Sequence, residues 1–334
     1  MRASHRRAAG LLAAAVLAIA CAACGSSASS GGTASGNGNS SRSKGGSGAG
    51  TSGGMGSSGF PVTVQAANGA VHVGARPGAI VSLSPTLTEM LYAIGAGGQV
   101  KAVDENSDYP AGAPRTKLNG FQPNLEAIVA FKPDLVVLSD NTNGLAKRLA
   151  RLSVPVLELP PATSLPQVYA EIDELGRATG HLPQAQHEDG AIAAGLHQIV
   201  AAAPHHAKPL TYYYELDQTY YSVTSDTFVG KLLALLGMKS IADTAKGAAS
   251  SGGYPQLSSE FIVRANPDYV ILADTVCCHQ DAASVARRPG WSSLAAVKDG
   301  HVIGLNDDIA SRWGPRIVDL LRTVGTALAR NGKH

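Results

Sequence analysis

Two duplicated segments hold the side chains of this sequence that are best suited to chemistry. The stretches LEAIVAFKPDLVVLSD and SEFIVRANPDYVILAD align without a gap, and in each a glutamate precedes a Pro-Asp pair by seven residues. The glutamates are Glu126 and Glu260, and an aromatic residue precedes each of them, Phe121 and Tyr254. Carboxylates form directional pairs with guanidinium groups, and rings cover flat apolar surfaces. Taken alone, the repeat can be purely structural, because Pro-Asp before an apolar strand is common loop chemistry and a glutamate at a helix start is favoured by the helix dipole.

The composition and the motifs argue against several classes of function. The 334 residues carry a net charge of +2, so no strong positive field indicates a nucleic-acid partner. The body has no G-x-S-x-G elbow, P-loop, H-E-x-x-H or paired-carboxylate motif, and we predict that the protein is not an enzyme. The ten histidines are scattered, so we predict neither a cofactor nor a metal site.

The N-terminus has the features of an export signal. Three arginines precede a short apolar core, AAGLLAAAVLAIA, which ends in CAACGSS. A cysteine after small residues at the end of such a signal resembles a bacterial lipobox. We predict a lipoprotein signal peptide over residues 1–24 with lipidation of Cys24. Cys21 is the alternative acceptor, and an ordinary signal with incidental cysteines is the other interpretation. Acylation would hold an extracytoplasmic protein on the cell membrane.

The segment after the signal is too poor in large apolar residues to form a core. Residues 25–59 are almost all Gly, Ser, Ala, Thr and Asn. This composition is typical of a flexible linker. We predict a disordered tether between the membrane and a folded body that begins near residue 60.

Strands alternate with helices in the first part of the body, over residues 60–164. Short apolar runs predict buried strands at 79–83, 100–103, 135–139 and 154–159. SPTLTEMLYAIG reads as a helix that Ser84 could cap, and NLEAIVAF as a helix capped by Asn124. This alternation is typical of a parallel sheet covered by helices.

The second part of the body repeats this organisation over residues 207–334. Strand-like runs lie at 210–216, 219–225, 269–273 and 301–305, and helices are predicted at 225–237 and 314–329. The intervening residues 165–206 are helical, with a break at Gly180 and a long helix after it. We predict an α/β fold: two similar lobes with central parallel sheets, joined by one long α-helix. A ligand cleft should lie between the lobes, at the carboxyl ends of the strands.

From about Ala79 to about Ala329 the chain resembles a known family. These are the helical-backbone, class III, periplasmic-type solute-binding proteins of ABC importers for cobalamin and ferric siderophores. The resemblance rests on IVSLSPTLTEMLYAIGAGGQVKAVDENSDYP, NLEAIVAFKPDLVVL, SSEFIVRANPDYVIL and GPRIVDLLRTV, and the cobalamin-binding branch is the most similar. It implies a ligand clamped between lobes that close by only a few degrees, because one helix bridges them. We expect a monomer.

The resemblance also suggests what the duplicated glutamates do. In this family each lobe presents a surface glutamate that pairs with arginines of the membrane permease. Glu126 and Glu260 occupy the matching positions, so they are the expected docking contacts with an ABC permease and ATPase complex. Two such pairs would fix the orientation of the receptor on a two-fold permease.

Ligand contacts are implied on both lobes. Phe121 and Tyr254 match aromatic contacts of the cobalamin branch, and Asp308 and Arg312 match polar ones. Trp313 adds a ring beside them, and either Tyr220 or Tyr221 is expected to face the cleft. The alternatives are rings packed on their own lobes and an ordinary Asp–Arg pair in a loop. Where the cobalamin branch tends to place a further aromatic, this sequence has Asn106.

The adjacent cysteines Cys277 and Cys278 do not belong to the family pattern. They follow a predicted strand, so we expect them at the edge of the cleft. Because disulfides persist outside the cytoplasm, we predict a vicinal disulfide, a flat unit that could stack on ligand. Two reduced thiols, or a metal site with His279, are the alternatives.

The ligand class is the least determined property. The rings at Phe121 and Tyr254 favour a cobalamin-like corrinoid. A ferric siderophore is the main alternative, although such clefts more often show several basic side chains, and only Arg312 can be placed from sequence. Haem is a third candidate. A ligand-sensing lipoprotein that uses the same fold is the alternative of another class, and genes for a permease and an ATPase beside this one would favour import.

Overall fold

The computed structural model describes residues 59–331. The predicted signal, with Cys21 and Cys24, and nearly all of the predicted linker lie outside these residues. The strands are β1 (Val62–Ala66), β2 (Gly69–Val73), β3 (Ile80–Ser82), β4 (Val100–Asp104), β5 (Arg115–Leu118), β6 (Leu135–Leu138), β7 (Val156–Glu158), β8 (Leu210–Glu215), β9 (Met238–Ser240), β10 (Tyr269–Leu272) and β11 (Val302–Gly304). The α-helices are α1 (Pro85–Ala93), α2 (Leu125–Val129), α3 (Leu145–Ala150), α4 (Leu165–Thr179), α5 (Leu182–Ala202), α6 (Phe228–Ala234), α7 (Ser259–Ala265), α8 (Ala282–Ala286), α9 (Ala295–Lys298), α10 (Asp307–Ser311) and α11 (Ile317–Asn331).

The first lobe is built on a five-stranded sheet in the order β5-β4-β3-β6-β7, with every neighbouring pair parallel. All residues of β3 and β6, the central strands, are buried, which explains why their sequences do not alternate with polar residues. An antiparallel hairpin of β1 and β2 precedes the sheet. Because the strands are parallel, their carboxyl ends meet at one edge, where loops are free to form a site.

The second lobe has a four-stranded parallel sheet in the order β11-β10-β8-β9. Its core includes Tyr212, Tyr213 and Tyr214, which are fully buried in β8. The strand predicted at 219–225 is wrong. The backbone at Tyr220 has φ of +68°, which is incompatible with an extended strand, and Tyr221 forms only an isolated bridge to Gln256.

Two helices connect the sheets, and the break predicted at Gly180 is confirmed. Gly180 adopts a left-handed conformation, with φ of 76°, and ends α4. The 21-residue α5 follows as the long helix and packs against both α4 and α11. The helices approach closely at Gly176, where a Cβ atom would lie 2.5 Å from the Cβ of Ala185. The fold is α/β, with two similar lobes joined by this helix; the lobe boundaries at 164 and 206 remain predictions.

The helix starts show which predicted caps form. The Asn124 Oδ1 atom accepts a hydrogen bond of 3.1 Å from the Ala127 amide, and Ser258 caps α7 in the same way. The Ser84 side chain makes no cap hydrogen bond, so that prediction is wrong; α1 begins instead with Pro85, which suits a first helical turn. Among residues 59–331, no helix is both long and apolar enough to cross a membrane.

Candidate ligand-binding cleft

A cavity of about 840 Å³ lies at the carboxyl-terminal edge of the first sheet. The loops after β3 to β7 contribute Ser84, Asn106, Asp108, Phe121, Ser139, Asp140 and Pro161, and the second half of the chain contributes Asp308, Ser311, Arg312 and Trp313. The cavity thus has walls from both halves and the size of a typical small-molecule site. Four residues predicted as ligand contacts, Phe121, Asp308, Arg312 and Trp313, are brought together here.

The loop before α2 presents the ring of Phe121 to this cavity. The Phe121 side chain is 69% exposed, an unusual state for a phenylalanine. Its backbone amide and that of Gln122 donate to the Asn119 side chain at 2.9 and 2.7 Å. Gly120 lies so close to the β3 loop that a Cβ atom would come within 2.5 Å of the Leu83 carbonyl oxygen. A tight, hydrogen-bonded loop therefore holds an uncovered ring at the edge of the cavity.

The polar side of the cavity is centred on Arg312. Its Nη1 atom donates to Glu89 Oε1 at 2.6 Å. Its Nη2 atom donates to Asp108 at 3.0 Å, to Asp308 at 2.6 Å and to the Asn106 carbonyl at 3.1 Å. Glu89 belongs to α1 of the first lobe, so this guanidinium joins the two halves of the molecule. To contact a ligand through Nη1 or Nη2, Arg312 would share or exchange one of these partners.

A second arginine completes this ion-pair cluster. Arg316 donates to Glu89 through Nε at 2.8 Å and through Nη2 at 2.5 Å, a bidentate arrangement. The hydrogen bonds to Glu89 raise the pKa of Arg316. Its guanidinium also lies 4.2 Å from the centre of the Tyr109 ring. The Glu89 side chain is only 2% exposed, so the two guanidinium groups compensate a carboxylate that is largely removed from water.

Trp313 is positioned by a carboxyl group of the connecting helices. Its indole Nε1 donates to Glu171 Oε2 at 2.9 Å. Burial raises the pKa of Glu171 to about 7, and the bond from Trp313 opposes that rise. Trp313 is therefore both a wall of the cavity and a contact between the last loop and α4.

The three predicted tyrosine contacts do not line this cavity. The Tyr220 ring stacks on Trp291 with centres 5.7 Å apart, which is the packing on its own lobe considered as the alternative. Tyr221 and Tyr254 are 41% and 45% exposed. Burial raises the pKa of Tyr214, and the nearby phenols of Tyr212 and Tyr254 add to the rise. Tyr221 and Tyr254 therefore lie on the surface of the second lobe, outside this cavity.

Glu126 and Glu260 occupy equivalent, exposed places in the two lobes. Each lies in the first turn of its helix, α2 or α7, two residues after the capping side chain. Hydrogen bonds from its own backbone amide and from Ser258 lower the pKa of Glu260. Both carboxylates are thus presented to solvent by capped helix starts.

The vicinal cysteines Cys277 and Cys278 are joined by a disulfide in the loop after β10. Among residues 59–331, no group of three or more His, Cys, Asp or Glu side chains is arranged to hold a metal ion. The Cys277 amide donates to Asp307 at 2.7 Å, which places the loop beside α10.

Sequence reasoning missed several cavity and cluster residues. Glu89 is one of six consecutive buried residues of α1; a glutamate within an apolar helix face was the available signal. Asp140 is the last residue of the first duplicated segment and lines the cavity; its place in the repeat was the available signal. Arg115, in the short strand β5, also lines the cavity, and no local pattern marks it.

Comparison with known proteins identifies the family. The sequence model that describes the periplasmic binding protein family matches residues 80–309 of this chain. The chain belongs to the periplasmic binding protein family. This is a family of binding proteins rather than of enzymes, and its fold agrees with the two-lobed α/β architecture described above.

Individual members of this family are similar over most of the chain. The uncharacterized ABC transporter substrate-binding lipoprotein YvrC of Bacillus subtilis is 31% identical, over 78% of this chain and 83% of that protein. The cobalamin-binding protein of Halobacterium salinarum is 30% identical, over 80% of this chain and 74% of that protein. The solved structure of the vitamin B12 binding protein BtuF of Vibrio cholerae has a TM-score of 0.62 and 25% identity, covering 77% of this chain and 98% of BtuF.

Proposed function

We propose that this protein is an extracytoplasmic solute-binding lipoprotein of an ABC importer that captures a cobalamin-like corrinoid. The observation that carries the proposal is the cavity between the two halves, with the uncovered ring of Phe121 on one side and the Asp308–Arg312 pair on the other. A corrinoid has a broad, largely apolar ring bordered by amide groups, which suits a wall with one ring and several polar groups. Similarity to the cobalamin-binding protein of Halobacterium salinarum supports the same ligand class.

Delivery and anchoring complete the proposed role. The exposed Glu126 and Glu260, one per lobe, would dock on arginines of the permease that works with the ATPase. Lipidation at Cys24 would keep the receptor at the membrane, and the lipoprotein YvrC supports this anchoring by analogy. We propose that it works there as a monomer, without a cofactor of its own.

Titration of the purified full chain in detergent with cyanocobalamin tests this function. At a ligand concentration of 100 times Kd, binding should stabilise the native state by about 2.7 kcal/mol, which raises the melting temperature. Phe121→Ala should weaken binding about tenfold, because the exposed ring loses its contact with the ligand. Phe131→Ala is the matched control, since Phe131 is also partly exposed, at 37%, but does not line the cavity. No stabilisation by any corrinoid would contradict the proposal.

A ferric siderophore is the second candidate, and one observation favours it. Arg115 lines the same cavity as Arg312, so the site holds two cationic side chains. Cationic groups favour anionic ligands such as iron-bound catecholates and hydroxycarboxylates. The same titration with a panel of ferric siderophores separates the two candidates, and Arg115→Ala should weaken a siderophore far more than a corrinoid.

A further inference from the structure

The loop that carries Cys277 and Cys278 starts at the carboxyl edge of the second sheet and lies beside α10, next to the residues that line the cavity. It follows β10, a central strand of a parallel sheet, and so begins at that sheet's carboxyl edge. The loop after the neighbouring strand β11 leads into α10, whose Asp308 and Ser311 line the cavity. In the first lobe, the loops at the corresponding edge line the cavity directly.

Hydrogen bonds fix this loop to the wall of the cavity. Asp307, at the start of α10, accepts from the backbone amides of Val276 and Cys277 at 2.9 and 2.7 Å. The Thr275 hydroxyl donates to the Leu305 carbonyl at 2.6 Å. Asp308, next to Asp307, pairs with Arg312 inside the cavity. The loop and the cavity wall are therefore held together by one carboxylate.

The other end of the loop is fixed just as firmly. The Cys278 carbonyl accepts from the side chains of Gln218 and Gln280 at 3.2 and 3.0 Å. Gln280 in turn accepts a 2.7 Å bond from Arg288, which forms a bidentate pair with the buried Glu215 at 2.5 and 2.6 Å. A network of hydrogen bonds and one ion pair thus connects the disulfide loop to the buried Glu215 of its lobe.

Part of the surface that this loop exposes is apolar, beside the polar His279 and Asp281. Val276 is 58% exposed, and Cys277 is also exposed. Tyr221, 41% exposed, comes from the neighbouring β8 loop, which reaches the disulfide loop through Gln218. An aliphatic side chain, a disulfide and a phenol together expose apolar surface that a bound ligand would cover.

We propose that Val276 and the Cys277–Cys278 disulfide form a preformed contact of the second lobe for the flat face of a corrin ring. This inference deepens the proposed function and rests on it. Sulfur is polarizable and packs well on unsaturated rings. Because the loop is held at both ends and closed by the disulfide, little conformational entropy is lost when a ligand is bound. The contact supplies the second lobe with the apolar wall that Phe121 supplies in the first.

Calorimetric titration of the oxidised full chain tests the contact with two probes, cyanocobalamin and dicyanocobinamide, which share the corrin ring but differ in the nucleotide loop. The double substitution Cys277→Ser, Cys278→Ser should weaken both probes about tenfold, equivalent to about 1.4 kcal/mol. Val276→Ser should weaken both by a few-fold. Leu152→Ser is the matched control, because Leu152 is an aliphatic residue of similar exposure, 53%, that follows α3 in the first lobe and not the disulfide loop; it should leave binding within about twofold.

The possible outcomes separate the contact from the function on which it rests. If the wild-type chain binds neither probe, the corrinoid function fails and the ring contact fails with it. If the wild type binds both probes and the Val276 and cysteine variants bind them as tightly, the contact alone is overturned. A loss confined to cyanocobalamin also overturns it, because the contact would then be to the nucleotide loop. Thermal melting shows that each variant is folded, and peptide mass mapping confirms the disulfide in the wild type.

Discussion

At the scale of single residues, the most consequential group is Glu89, a carboxylate that the surrounding protein holds between two arginines. The side chains of Arg312 and Arg316 are 8% and 16% exposed, so all three charges are largely removed from water. A buried ion pair adds little net stability compared with an apolar substitute, but loss of one partner leaves an uncompensated charge. The main effect of removing Glu89 is therefore to leave the charges of Arg312 and Arg316 uncompensated.

We expect Glu89→Gln to lower the free energy of unfolding by about 3–5 kcal/mol, because both guanidinium groups lose their counter-charge while the shape of the side chain is kept. Urea denaturation followed by circular dichroism measures the change. Asp319→Asn is the control, since Asp319 pairs with Arg322 on the surface with both side chains about half exposed. That pair should contribute no more than about 1 kcal/mol, and equal losses in the two variants would contradict the expectation.

A second buried carboxyl group, Asp274, gives the protein a pH dependence. Asp274 is fully buried, and neither of its oxygens has a hydrogen-bond partner among the described residues. Burial, together with repulsion from Glu215, raises the pKa of Asp274 to about 7, against the attraction of Arg288. Since the native state binds this proton more tightly than the unfolded state does, the contribution of Asp274 to stability falls as pH rises from about 4 to about 7.

Asp274→Asn should remove the Asp274 contribution to this pH dependence, because an amide does not ionise. The variant should gain stability relative to wild type as pH rises from 4 to 8, and urea denaturation at a series of pH values measures the difference. Asp226→Asn, at an exposed carboxylate, should follow the wild-type profile. A constant difference between Asp274→Asn and wild type at all pH values would contradict the assignment.

At the scale of elements, the close packing of α4 on α5 sets the connection between the lobes. Gly176 lies where a methyl group would meet the Ala185 Cβ at 2.5 Å and the Leu182 Cα at 3.0 Å. A side chain there requires the helices to move apart, since well-packed interiors resist added volume.

Gly176→Ala should therefore destabilise the protein by about 1–3 kcal/mol, as overpacking does. Gly190→Ala tests the same change in the middle of α5, where nothing lies within 4 Å of the new methyl group. It should stabilise by up to about 1 kcal/mol, because alanine favours helix over glycine. Opposite signs in urea denaturation are the expected result, and destabilisation by both variants would show that the close contact is not the cause.

The elements also show how far the sequence could be interpreted. The continuous apolar strands and the capped helices were predictable because short-range patterns specify them, as at Asn124. The β1–β2 hairpin was missed although VTVQAANGAVHV carries alternation and an Asn-Gly pair, a strong short hairpin signal. In the structure Ala67 and Asn68 form the two-residue loop, and Gly69 begins β2. The strand predicted around Tyr220 was wrong because the aromatic residues there favour a strand, whereas the backbone of Tyr220 has a positive φ.

The candidate site was predictable only in part, for a different reason. Phe121, Asp308, Arg312 and Trp313 were named from their resemblance to a family pattern, and the structure places them around one cavity. The pairing of Arg312 with Glu89 joins residues 223 positions apart. No local periodicity or spacing carries that information, so the partner of Arg312 required the three-dimensional structure.

At the scale of the whole molecule, the two lobes present matching carboxylates to the outside while sharing one cavity. The double substitution Glu126→Ala, Glu260→Ala should abolish uptake of labelled cyanocobalamin by cells while leaving its binding to the purified protein unchanged, because these side chains lie outside the cavity. Asp226→Ala combined with Asp299→Ala removes two exposed carboxylates elsewhere and should leave uptake intact. Equal uptake by both double variants would remove the docking role.

The ion pairs of Arg312 and Arg316 with Glu89 also limit which parts of the protein could be produced separately. A first lobe produced alone, ending anywhere before residue 312, would carry an interior negative charge with neither of its cations. Although the two halves share one architecture, they are not interchangeable. A first lobe taken from a relative would fit only if its α1 carried an acidic side chain that can pair with Arg312 and Arg316. Chimaeras of such receptors should therefore keep α1 together with the segment that begins at Arg312.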